Sequence, residues 1–171
     1  MMIFCLSDRT AVSSKGGQKL DLRQYLVKRE LRKTKMTNIS GKYQHYKNED
    51  IDDYFSAVGV PYMGRKMMSM SSPLMEITVD GEQMTIKNSS LLRTVENKFK
   101  LGEEYEENMP NAKIRSVTTL VNDKQIETKS VVEDTGANCG RQYNFSEDEC
   151  IVTLTHEKAK TPAKRYFRRV N

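Results

Sequence analysis

The sequence predicts an all-β domain, a sandwich or a barrel, with two short helices set near its start to cover an open end. Three observations carry this. From Pro73 onward, apolar residues recur with period two in short runs about 8 to 12 residues apart, the rhythm of strands in a packed or closed sheet. Just before them, Ile51, Tyr54, Phe55 and Val58 stand at i, i+3, i+4 and i+7, the stripe of an amphipathic helix. At the far end, Ala163–Val170 alternates so that Ala163, Arg165, Phe167 and Arg169 share one face and Lys164, Tyr166 and Arg168 the other. Whichever face turns inward brings a cation with it, and a buried cation needs a partner.

The 171 residues suit one domain with an appendage and suffice to bury a real core. The net charge of +5 is unevenly spread. Residues 1–36 hold nine Lys/Arg against three Asp/Glu, a balance of +6, and the remaining 135 residues hold 19 against 20. A nearly neutral body argues against a folded nucleic-acid reader. The three cysteines, Cys5, Cys139 and Cys150, form no CxxC pair and read as free thiols in a reducing cytosol. The opening Met1–Leu6 run is too short for the apolar region of a signal peptide, and no run approaches the roughly 20 residues that cross a bilayer. The expectation is a cytoplasmic protein.

In chain order, residues 7–18 are polar, with Gly16-Gly17 as a break. Leu20–Lys35 has the makings of a basic amphipathic helix, with Leu22, Tyr25 and Leu26 on one side, of the kind that lies on an anionic membrane. Its narrow apolar face also suits a disordered leader, or sequence upstream of a start at Met36, so residues 1–36 are set apart as an extension and 37–171 as the folded domain. A first strand is predicted at Gly41–Gln44 with Tyr43 buried. Asn48 is the expected helix cap, and Glu49 and Asp50 suit the positive end of the helix dipole. Gly59 takes a left-handed conformation to end the helix and Pro61 prevents its continuation. A second, methionine-rich helix follows over Tyr62–Ser69. Strands are predicted at Met75–Val79 and Met84–Ile86, joined at Asp80-Gly81, a strong hairpin signal. Others fall at Leu91–Val95, Asn97–Leu101, Lys113–Val121, Gln125–Val132, Gly140–Asn144, Cys150–His156 and Ala163–Val170.

Catalytic signals are absent. There is no phosphate loop, no G-x-S-x-G, no H-E-x-x-H and no metal-spaced Cys/His set. His45 and His156 lie on different strands without companion ligands and read as surface or internally satisfied residues. Glu103-Glu104 and Glu106-Glu107, flanking Gly102, read as a solvated turn. Arg141 opens a strand two elements before Arg165. Two arginines converging inside would hold a carboxylate well, since guanidinium offers paired donors and keeps its proton. The spacing equally accommodates two solvent-facing arginines.

From Met36 to Val170 the chain resembles the intracellular lipid-binding proteins, the fatty-acid-binding family. Gly41-Lys42-Tyr43 followed by Asn48–Tyr54 is similar to that family's opening signature. Gly59-Val60, Arg65-Lys66-Met67, Met75-Glu76-Ile77, Phe99–Tyr105 and Leu154-Thr155-His156 keep its order and spacing, and Ala163–Phe167 resembles its terminal strand. The resemblance implies a ten-stranded antiparallel up-and-down β-barrel, two near-orthogonal sheets under a two-helix lid, that carries long-chain fatty acids and is not an enzyme. Carried over, Arg165 and Phe167 match the pair that meets the ligand carboxylate. Arg141 matches the second internal arginine if two residues are inserted at Asn144–Asp148; otherwise Tyr143 takes that place. Ile51, Tyr54, Phe55, Leu92 and Arg93 fall at the cavity or its portal. His45 stands where the family has an apolar residue. No cofactor and no nucleic acid is expected, the chain should be a monomer, and transient contact with anionic membranes is the remaining partner. Other readings are a retinoid or other hydrophobic acid as cargo, or membrane docking through the basic extension.

Overall fold

The computed structural model describes residues 39–91, 93–109 and 112–171, together with Leu26. Period-two stretches become ten strands and the helical stripe becomes a lid. β1 (Gly41–Glu49) leads into α1 (Ile51–Ala57) and α2 (Tyr62–Met70). The remaining strands are β2 (Leu74–Asp80), β3 (Gln83–Ser89), β4 (Thr94–Lys100), β5 (Glu104–Met109), β6 (Ala112–Asn122), β7 (Gln125–Val132), β8 (Asn138–Phe145), β9 (Glu149–His156) and β10 (Ala163–Val170). They form one antiparallel sheet in the order β4-β3-β2-β1-β10-β9-β8-β7-β6-β5. Every neighbour but one is a sequence neighbour. The exception is β1 against β10, which joins the first and last strands and curls the sheet into a nearly closed barrel.

The register keeps one set of side chains on the inner face throughout. Tyr43 opposes Met75, Ile77 opposes Ile86 and Met84 opposes Phe99. Ile126 opposes Tyr143, which opposes Val152. These residues, with Ile39, Phe145, Cys150 and Phe167, form the main buried cluster. A second cluster of Ile51, Tyr54 and Ala163, with Phe55, Val58 and Leu154 against it, fastens α1 to the barrel. At roughly 25 cal/mol per Å² of apolar area buried, such paired inner faces dominate the folding free energy.

Three sequence expectations change. The acid-rich segment 104–109 is strand β5 rather than a solvated turn, because Tyr105 and Glu107 turn inward while Glu104 and Glu106 face water. The runs expected at Leu91–Val95 and Asn97–Leu101 merge into the single strand β4. Asn48 does not cap α1, because β1 runs on through it to Glu49. Asp50 holds the cap position at φ 54° with no side-chain hydrogen bond to the helix. Gly59 is left-handed as expected, at φ 85°. The helix expected over Leu20–Lys35 lies outside the described residues except for Leu26, which is helical and exposed. Among the described residues no helix is long and apolar enough to cross a membrane.

Candidate functional site

β10 presents its Ala163, Arg165, Phe167, Arg169 face to the interior, with Ala163 and Phe167 buried and the intervening Lys164 and Arg168 exposed. Arg165 sits between the lid cluster and the main cluster, its guanidinium 5.8 Å from the centre of the Phe167 ring. Its Nε donates to Asn48 Oδ1 at 3.2 Å and its Nη2 to the Ser71 carbonyl at 3.1 Å. Both acceptors are neutral, and no carboxylate comes within ion-pair distance among the described residues. Burial therefore acts on this cation without compensation and pushes its pKa down to about 10.

Arg141 is held differently. The register carries Arg165 through Val152 onto Tyr143, and Ala163 through Leu154 onto Arg141. Tyr143 therefore shares the row of Arg165, and Arg141 lies one inward position nearer the lid. Its guanidinium makes a two-pronged contact with Glu107, Nη1 to Oε2 at 3.0 Å and Nη2 to Oε1. The Glu107 carboxylate also accepts from Ser116 Oγ at 2.7 Å and from Asn97 Nδ2 at 3.3 Å. Burial works to raise the Glu107 carboxyl, but the Arg141 guanidinium and these hydrogen bonds outweigh it and hold the group below the usual carboxylate range. Around the pair the inner wall is polar and internally satisfied. Ser116 meets Ser130 at 2.7 Å, Thr118 meets Thr128 at 2.8 Å, and the Tyr105 hydroxyl meets Thr118 at 2.8 Å. One wall of the barrel, β5 to β8, thus carries a neutralised ion pair in a hydroxyl-lined patch, while Arg165 stands opposite the apolar residues without a counter-charge.

The remaining predicted residues divide between lid and rim. Ile51, Tyr54 and Phe55 pack between α1 and the barrel, and Tyr54 Oη donates to the Thr155 carbonyl at 3.3 Å. Arg93 lies on an exposed stretch beside a cleft of about 360 Å³ where β4 and β5 do not pair, lined also by Val95, Asn97 and Tyr105. Leu92 lies outside the described residues. On α2, Tyr62, Met63, Met67 and Met70 are exposed, and Arg65 reaches Asp52 at 3.4 Å.

Sequence reasoning missed Glu107 and underrated His45. The signal for Glu107 was present, since once Tyr105 is placed inward a strand's alternation places Glu107 inward as well. Local charge density masked it. His45, expected to be exposed or satisfied, is 6% exposed, and one ring nitrogen has no partner among the described residues.

The structure is thus a ten-stranded up-and-down barrel under a two-helix lid, with a cation held inside by neutral groups. The chain belongs to the lipocalin / cytosolic fatty-acid binding protein family, whose model matches residues 40–136. This is a family of carriers rather than enzymes. Among curated relatives, a fatty acid-binding protein of Tyrophagus putrescentiae is 35% identical over 70% of this chain and 90% of its own. Cellular retinoic acid-binding protein 1 of Homo sapiens is also 35% identical, with the same shares of each chain covered. Among solved structures, the Schistosoma mansoni fatty acid binding protein in complex with arachidonic acid superposes with a TM-score of 0.73 at 22% identity. That match covers 80% of this chain and 99% of the other.

Proposed function

We propose that this protein binds and carries a long-chain fatty acid inside its barrel, with the carboxylate held by Arg165 beside Phe167 and the hydrocarbon lying against the apolar inner faces. The observation that carries the proposal is the asymmetry between the two arginines. Arg141 is already answered by Glu107, whereas Arg165 has only an amide oxygen and a carbonyl. An anionic head gains most at the cation that lacks a counter-ion. Arg141 is then a positioning group in the polar wall rather than the main carboxylate contact. Ile51, Tyr54 and Phe55 form the lid side of the cavity, and Leu92 and Arg93 the entrance.

Enclosing about sixteen carbons at about 0.8 kcal/mol per methylene gives on the order of 12 kcal/mol gross. Ordering and desolvation reduce this to roughly 8 to 12 kcal/mol, a micromolar to nanomolar affinity. Arg165 contributes selection. A neutral alcohol would leave the buried cation unanswered, and sites built for a polar partner reject analogues lacking it. The test is calorimetric titration of the delipidated full chain with oleate and with oleyl alcohol. Oleate should bind more tightly than the alcohol, and Arg165→Ala should weaken oleate roughly 10- to 100-fold, as loss of a charged hydrogen-bonded contact does. Unchanged oleate affinity in Arg165→Ala would remove the assignment.

A retinoid acid is the second reading, favoured by the equal identity to a retinoic acid-binding relative. Competition between oleate and retinoic acid, with native mass spectrometry of the lipid that copurifies, separates the two. The protein acts as a cytoplasmic monomer on this reading. Its lid, with Arg65, Lys66 and Arg93 nearby, touches anionic membranes during delivery. Deleting residues 1–35 should leave oleate binding intact and reduce liposome co-sedimentation if the basic extension does the docking.

A further inference from the structure

His45 sits beside Arg165, an inward cation with no acidic partner among the described residues. Its ring packs edge-on to Phe167 at 5.4 Å. Its Nε2 lies 2.8 Å from Asn48 Oδ1. The direction of that bond can be deduced. Arg165 Nε donates to the same Asn48 atom and cannot accept, and Asn48 Nδ2 donates to the Ser69 carbonyl at 3.0 Å. The shared Asn48 atom is therefore oxygen, and His45 Nε2 must carry the hydrogen. The neutral ring then has a bare lone pair on Nδ1, buried and without a donor among the described residues. One other buried side-chain polar atom among the described residues lacks a partner, the Ser69 hydroxyl oxygen, and Ser69 is also tied to Asn48. Two residues hydrogen-bonded to one asparagine each keep a different buried polar atom unsatisfied, beside a guanidinium without a counter-charge, as a place prepared for a polar head would.

The surroundings determine which charge state His45 adopts. From β10 it faces the Arg165 cation and the Phe167 ring. From β1 it meets the Asn48 side chain and the Lys47 main chain, and both contacts work to raise its pKa without outweighing burial and Arg165. The stretch after α2 gives its main chain only neutral contacts, the Pro73 carbonyl accepting from the His45 amide at 3.0 Å and the Ser72 hydroxyl donating to the His45 carbonyl at 2.6 Å. Burial first, and then Arg165, lower the His45 pKa below its ordinary 6.5, so the ring is neutral near pH 7 without ligand. An arriving carboxylate reverses the balance by neutralising Arg165 and offering an acceptor to a protonated Nδ1.

Resting on the assignment of Arg165 as the carboxylate contact, we propose that His45 is a second, proton-dependent head-group ligand. On this proposal it takes one proton from solvent as the acid binds, and the carboxylate lies between guanidinium and imidazolium. The cargo site would then favour an acid twice, once through a permanent cation and once through a cation made on demand. Binding would be tighter in mildly acidic surroundings and release easier in alkaline ones.

The experiment is titration of the delipidated full chain with oleate at pH 7 in phosphate and in Tris, whose ionisation enthalpies differ, with oleyl alcohol as the control. Uptake of up to about one proton per oleate is expected, together with none for the alcohol and none for oleate in His45→Leu. Wild-type affinity should fall up to about tenfold per pH unit between pH 6 and 8, and His45→Leu should show a flat profile. The His45 ring resonances in the wild-type protein give a reading independent of any variant, and their titration should move to higher pH when oleate is added. Arg165-dependent oleate binding without proton uptake, or uptake that persists in His45→Leu, overturns the His45 assignment and leaves the cargo reading standing. Oleate binding that ignores Arg165→Ala, or no oleate binding at all, overturns both.

Discussion

At the scale of single residues, buried charge decides most of what this protein can do. Arg141 and Glu107 lie inside a wall of hydroxyls, and each removes the other's desolvation penalty only while both are present. Glu107→Ala strands a buried guanidinium and should cost about 3 to 5 kcal/mol, whereas replacing both by similar-sized neutral residues should cost less than either single change. Denaturant midpoints of Glu107→Ala, Arg141→Ala and the double variant check this. The carboxyl's folded pKa lies below its ordinary 4.5, so its contribution to stability is complete above that value and is lost as pH falls through the folded pKa. In Glu107→Gln that part of the acid sensitivity should vanish, which stability curves between pH 3 and 6 would show. Period two placed Arg165 and Phe167 on one face with Ala163 but did not say which face turns inward, and the structure turns in the face of Ala163 and Phe167. Glu107 was not legible for a physical reason. Four glutamates in five positions look solvated, and only the far-off Arg141, 34 residues away, makes burial of one of them tolerable.

At the scale of elements, helices, hairpins and late strands follow from local chemistry. The α1 stripe, the Gly59 stop and the Asp80–Gln83 hairpin all form where the residues direct them. Where reasoning fell short, a distant contact overrode a local rule. Asn48 has the side chain of a helix cap, yet β1 pairs with β10 through it and its amide serves His45, Ser69 and Arg165 instead. The cap position passes to Asp50, in the left-handed region that carbon-bearing side chains populate sparingly. Asp50→Gly should therefore be neutral or stabilising by up to about 1 kcal/mol, and Asp50→Val destabilising, since a β-branched residue suits that conformation least. Thermal midpoints of the two variants compare them. Lipid affinity unchanged in Asp50→Gly would show that this junction serves folding rather than cargo.

At the scale of the whole molecule, the β1–β10 pairing ties the first and last strands together and leaves β4 and β5 as the two margins of the sheet. The barrel could be anticipated from strand count and spacing, but the position of this seam could not, because it depends on which neighbouring strands decline to bond. Side chains span it. The Phe99 and Tyr105 rings stack at 4.2 Å and Asn97 reaches Glu107. Amides of β4 and β5 facing the seam should exchange with solvent sooner than those between β1 and β10, where main-chain ladders must break first. Hydrogen-exchange mass spectrometry resolves that difference.

A sheet with two bare margins invites foreign strands to add on, the usual first step toward fibrils. Here the margins belong to consecutive strands joined by a three-residue turn, and the aromatic clasp makes each the other's guard. Tyr105→Ala should accordingly raise the rate of aggregation on mild heating more than it lowers the unfolding temperature.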